Sequence, residues 1–163
     1  LKIVKDTLEE TFTDLIGTSL ENEISPPAES YVIEVVASLS SGVHEMAARS
    51  VFLNELLREA LDSTGLIRKE YLRVTGDVAL FVSGIFPDSL ESRKTWFCLG
   101  DYIDIGQTAY SNIQADVFDE LSLKFPQVVD VLNTVSLEID LTSKNLTRYS
   151  RRRRTIDARV TRR

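Results

Sequence analysis

Between residues 66 and 117 the chain carries two helical stripes that decide most of what it can fold into. In the first segment, residues 67–86, Ile67, Tyr71, Val74, Val78, Phe81 and Ile85 recur at spacings of 4, 3, 4, 3 and 4. That is the step of one face of an α-helix. Leu72, Gly76, Ala79, Ser83 and Phe86 form a second stripe beside it. Its small centre lets another element approach closely. In the second segment, residues 101–117, Ile103, Gly106, Tyr110, Ile113 and Val117 repeat the pattern, and Gly106 and Ala109 are again small. The two segments predict two long helices packed face to face at the centre of an all-α domain.

A chain of 163 residues is one domain on size, and 43% hydrophobic content suffices for a core. The remaining pattern adds helices around the central pair. Residues 1–16 place Leu1, Val4, Leu8, Phe12 and Leu15 on one face, with Gly17 as the expected stop and 18–24 as a linker. Ser25-Pro26-Pro27 reads as an N-cap with proline in the first turn. The helix it opens carries Tyr31, Val32, Val35, Val36 and Leu39, ending at Ser40-Ser41-Gly42. A strand is the minority reading there, because the segment is rich in β-branched residues. Residues 43–49 are ambiguous. A helix follows with Phe52, Leu53, Leu56, Leu57, Ala60 and Leu61, and Asp62-Ser63-Thr64-Gly65 makes a turn. Pro87 ends the first central helix, and Pro126 breaks the chain before a helix through Val128, Leu132, Val135 and Ile139. The expectation is a single-domain bundle of six or seven helices over 1–163, with 143–163 a basic C-terminal helix or tail.

Charge is unevenly placed. Residues 148–163 contain Arg148, Arg151, Arg152, Arg153, Arg154, Arg159, Arg162 and Arg163 against Asp157, a net of +7, while the rest carries −13. This basic patch has three readings: a helix docked through Leu146, Tyr149, Ile156 and Val160 on the acidic body or a second subunit, a solvated end, or a contact to nucleic acid or an anionic surface. Docking ranks above nucleic acid, since the acidic body repels a polyanion. The longest apolar run near the centre, 78–86, is far short of a bilayer span. No segment reads as a signal peptide, and a single cysteine favours a reduced, cytoplasmic setting.

Chemistry-bearing constellations are sparse. One His and one Cys cannot make a zinc site of the usual kind, and the residue four after His44 is Ala48. No metal and no cofactor is expected. The glycines match no phosphate cradle and read instead as close-packing positions. Cys98, between Phe97 and Leu99, reads as a small buried apolar residue. Asp77 reads as an exposed edge paired i, i+4 with Arg73, with a buried acid as the sharper alternative. Asp104 falls on a polar face, and Asp116, Asp119 and Glu120 read as a solvated run. Asp77, Tyr102, Gln107 and Tyr110 can line a small polar pocket between the central helices, beneath Trp96 in the connection 87–100. Core tyrosines satisfied by their neighbours are the slightly favoured competitor.

The sequence Gly76-Asp77-Val78-Ala79-Leu80-Phe81-Val82-Ser83-Gly84-Ile85-Phe86, followed by Tyr102-Ile103-Asp104-Ile105-Gly106-Gln107-Thr108-Ala109-Tyr110, resembles a motif pair of an uncharacterised bacterial all-helical protein family. The resemblance implies a helical fold and a bacterial source, and attaches no activity. The Arg-rich end lies outside it. The functional expectation is a binding or protein-interaction module, not evidently catalytic, with a protein partner or self-association such as a homodimer. The alternatives are a small-ligand binder or enzyme using the central pocket, and a nucleic-acid contact through the C-terminal arginines.

Overall fold

The computed structural model describes residues 13–40, 53–88 and 98–138. Among these, seven helices and no strand are present, so the fold is all-α. They are α1 (13–20), α2 (Pro26–Ser40), α3 (Leu53–Asp62), α4 (Gly65–Ile85), α5 (Leu99–Ser111), α6 (Asp116–Leu123) and α7 (Phe125–Glu138). Expectations that fall on Trp96, on His44, and on the basic segment 143–163 lie outside the described residues.

α4 is the hub. It runs for 21 residues and packs against α5 most extensively, then α3, α7 and α2. From Leu72 to Gly84 its side chains are almost all buried, on every face. A helix that is apolar all round must be surrounded, and four neighbours do this. The expected stripe differs at its start: Ile67 is 64% exposed and Tyr71 39%. The periodicity is the same along the whole helix, but the neighbours reach only its C-terminal two-thirds.

Small residues set how closely those neighbours come. A Cβ placed on Gly76 would lie inside the edge of the Tyr110 ring, 3.0 Å from its Cζ and nearer still to Cε1 and Cδ1. Gly84 sits under Leu132 of α7, and Gly106 of α5 sits under Phe125 in the same way. Each glycine is thus the hole into which one large side chain of another helix fits.

The C-terminus of α4 is finished by α7. The Phe86 N–H donates to Val82 O at 2.9 Å. The next carbonyl, Ser83 O, would look to residue 87, which is proline and has no N–H. Asn133 Nδ2 donates instead to Ser83 O at 3.1 Å and Gly84 O at 3.2 Å, and Ser136 Oγ donates to Ile85 O at 3.1 Å. The carbonyls that every helix end leaves open are here closed by side chains of a helix some 50 residues later in the chain.

Two helix boundaries and one burial depart from expectation. The second central segment is not one helix over 101–117. It stops at Ser111, and the chain turns through Gln114 in the left-handed region, φ 60°. Asn112 Nδ2 and the Asn112 N–H both bond to Thr108 O, which supplies the stop that the apolar spacing concealed. Gly17 does not end α1. The helix continues to Leu20, which is fully buried, and burial of that side chain outweighs the roughly 1 kcal/mol penalty of an interior glycine. Cys98 is exposed rather than buried. It stands at the N-cap of α5, where its own N–H donates to Asp101 Oδ2 at 2.8 Å.

The start of α2 follows the Ser-Pro-Pro signal, with one difference. Ser25 gives its N–H and hydroxyl to the Glu120 carboxylate of α6, so the cap is made across the fold. Glu120 is therefore not simply part of a solvated run, whereas Asp116 and Asp119 are exposed. Asp104 lies on the exposed face of α5 with Thr108 and Ser111.

Candidate functional site

Asp77 is buried, only 7% exposed, in the middle of α4. The exposed-edge reading of this residue is corrected, although its i, i+4 partner is as expected: Arg73 donates an N–H to Oδ2 at 2.9 Å. Oδ1 accepts two phenol hydroxyls, from Tyr31 of α2 and Tyr110 of α5, each at 2.7 Å. One carboxylate thus ties three helices together. Arg73 turns its other nitrogens outward to Glu70, with Nε to Oε2 at 3.1 Å and a second N–H to Oε1 at 2.5 Å.

Apolar packing fixes these donors. The Tyr110 ring is fully buried over Gly76. It meets Phe118 at 5.3 Å and Phe125 at 5.8 Å between ring centroids. Tyr31 stands edge-on to both Tyr110 and Phe118, at 6.4 and 5.0 Å. Edge-to-face and tilted arrangements of this kind are the favourable ones for aromatic pairs. The hydroxyls have little freedom to turn elsewhere.

The electrostatics follow from burial. Desolvation pushes the Asp77 carboxyl above the usual aspartate range, against the pull of the Tyr31 and Tyr110 hydrogen bonds and the Arg73 charge. Desolvation and then the nearby Asp77 charge push the Tyr31 and Tyr110 phenols far up. The hydrogen bond to Glu70 raises Arg73, and that same contact lowers the exposed Glu70. Both phenols and the guanidinium therefore stay protonated as donors. A carboxylate offers about four acceptor positions, and three are filled here. Asp77 is arranged as the common acceptor of three donors.

Of the other expected pocket residues, Gln107 bonds away from it. Gln107 faces a different neighbour: its Nε2 donates to Ser122 O at 3.1 Å, and Ser122 Oγ returns a bond to Gln107 O at 2.8 Å. That reciprocal pair fastens α5 to α6. Tyr102 is buried two turns before Tyr110 on α5, about 12 Å along the helix axis. Among the described members of the expected set, Asp77 and Tyr110 meet directly. Sequence reading did not include Tyr31 in the site. Its place among the aliphatic residues of α2 gave the one available signal, a lone polar tip on an otherwise apolar face.

Beside this cluster, a groove of about 350 Å³ opens between α2 and α4. Val35 and Val78 form its floor, and the partly exposed Leu39 and Val74 its walls. Val35 with Leu39, and Val74 with Val78, are i, i+4 pairs, so two helical ridges run along the groove. Asp77 and Arg73 stand at one edge and exposed Glu34 at the other. Among the described residues there is no group of three or more His, Cys, Asp and Glu placed to hold a metal, and no helix long and apolar enough to cross a membrane. No family model, curated protein or solved structure matches this chain.

Proposed function

We propose that the chain is a non-catalytic helical binding module whose α2–α4 groove takes the apolar face of a cationic amphipathic helix. The observation that supports this most is the union of two aliphatic ridges with an acidic rim. Ridges of this form accept a third helix by ordinary ridge-into-groove packing. α2 carries Glu29 and Glu34 and no Lys or Arg. Among the described groove residues Arg73 is the single cation, and it is already held between Asp77 and Glu70. The rim therefore favours positive charge. The Asp77 cluster keeps α2, α4 and α5 in fixed register, so the groove is preformed, which lowers the ordering cost of binding.

The catalytic alternative has less behind it, because the most perturbed acid is occupied by three donors. The test uses two synthetic amphipathic peptides, one of Leu and Arg and one of Leu and Glu in the same pattern. Each is titrated into the isotope-labelled full chain and followed by amide and methyl NMR shifts. The Leu/Arg peptide is expected to move resonances of Val35, Leu39, Val74 and Val78 and to bind about tenfold or more tighter than its acidic counterpart. Equal binding of the two, or shifts that spare these residues, would overturn the reading.

A further inference from the structure

We infer that the groove between α2 and α4 is the docking site of the chain's own Arg-rich C-terminal segment, 143–163, which competes there with partner helices. The inference rests on the groove reading above and adds its occupant and its regulation.

Three observations lead to it. The first is where the chain departs from the described bundle. Ser136 Oγ bonds to Ile85 O, so the end of α7 lies beside the C-terminal end of α4. Asp77 is eight residues back along α4 from Ile85, about 12 Å. Leu146, the first residue of the apolar stripe, is eight residues beyond Glu138, and extended chain spans about 3.3 Å per residue, or roughly 26 Å. That length covers the axial distance and a path round one helix, whose diameter is about 10 Å.

The second observation is charge. The segment 148–163 carries a net +7 and the rest of the chain −13. Glu34 stands on one bank of the groove, and Glu70, 61% exposed at its side chain, is bonded to Arg73 of the other.

The third is pattern. Leu146, Tyr149, Ile156 and Val160 are spaced 3, 7 and 4 apart, which places them along one side of a helix, with arginines flanking the stripe. The groove offers the aliphatic ridges Val35/Leu39 and Val74/Val78 for such a stripe. Apolar contact supplies the docking and the acidic rim selects the segment, since exposed ion pairs add little each.

Tethering makes the contact competitive even if it is intrinsically weak. A short flexible link gives an effective concentration of about 1 mM, so a segment with a dissociation constant near 100 µM would weaken a partner in trans by about tenfold. A tighter partner, or loss of the arginine charge, relieves this competition.

The experiment compares the full chain with the full-length variant R151E/R152E/R153E/R154E, using the Leu/Arg peptide as probe. A four-lysine variant at the same positions keeps the charge and serves as the control. The glutamate variant is expected to bind the peptide about tenfold tighter than the natural chain, and the lysine variant to bind like the natural chain. The four-glutamine variant carries the same comparison if the glutamate variant does not fold. Equal affinity in all variants would overturn self-docking and leave the groove reading standing. Absence of peptide binding in every variant would overturn both. An affinity difference that grows with protein concentration would place the segment of a second copy in the groove and overturn docking within one chain.

Discussion

Replacing Gly76 by alanine adds one methyl group where α4 and the Tyr110 ring of α5 approach most closely. In an open helix position this change is favourable, by about 1 kcal/mol. Here the new Cβ would lie well inside van der Waals contact of Tyr110 Cε1 and Cδ1, and 3.0 Å from Cζ. The ring cannot slide away freely, because Phe118 and Phe125 flank it and its hydroxyl is bonded to Asp77. Overpacking of this kind costs about 1–3 kcal/mol. If the ring moves, the hydrogen bond to the buried carboxylate is lost at about 1.5–3 kcal/mol. Set against the helix gain, Gly76→Ala should destabilise by about 0–2 kcal/mol if the ring holds its place and about 1.5–5 kcal/mol if it moves. Urea denaturation followed by circular dichroism measures it. The cause is isolated by repeating the substitution in a Tyr110→Ala background, where the methyl enters vacated space and should stabilise by up to about 1 kcal/mol. A midpoint for Gly76→Ala above that of the natural chain would refute the close-approach reading. So would an equal loss in both backgrounds.

Asp77 should give the opposite pH dependence to a surface aspartate. Burial raises its carboxyl above the unfolded value of 3.8, so the folded state holds the proton more tightly. Its contribution is fully present below that value and is lost as pH rises through the folded one. The stability advantage of the natural chain over Asp77→Asn should therefore shrink between pH 3.5 and neutrality, and urea titrations in which the gap instead widens would show that the ion pair dominates. Asn133→Leu should destabilise by about 2–6 kcal/mol, since the Ser83 and Gly84 carbonyls lose their donor at about 1–3 kcal/mol each. Hydrogen exchange should then speed up first in the last turn of α4, and unchanged protection there would contradict the capping role.

The helices themselves were legible in the sequence, because helix formation reports on local spacing. The stripes through α4 and α5, the stops at Pro87 and before Pro126, and the Ser-Pro-Pro start of α2 each arise within a few residues. The glycines could be read as close-packing positions for the same reason, since Gly76 and Gly106 stand with other small residues between bulky ones on their stripes. Tertiary structure decided everything that depends on what stands opposite. Periodicity assigns a face to a helix but not the extent of its cover, so Ile67 and Tyr71 repeat the core pattern and remain outside. Asp77 has the same spacing to Arg73 whether it is wet or dry. Only the arrival of Tyr31 from 46 residues earlier and Tyr110 from 33 residues later makes it a buried knot. Gln107 and Tyr110 lie within one turn of α5, yet α6 claims the first and α4 the second. Which partner each receives is fixed by the packing of whole helices, through contacts far apart in the chain, and a local pattern holds no record of it.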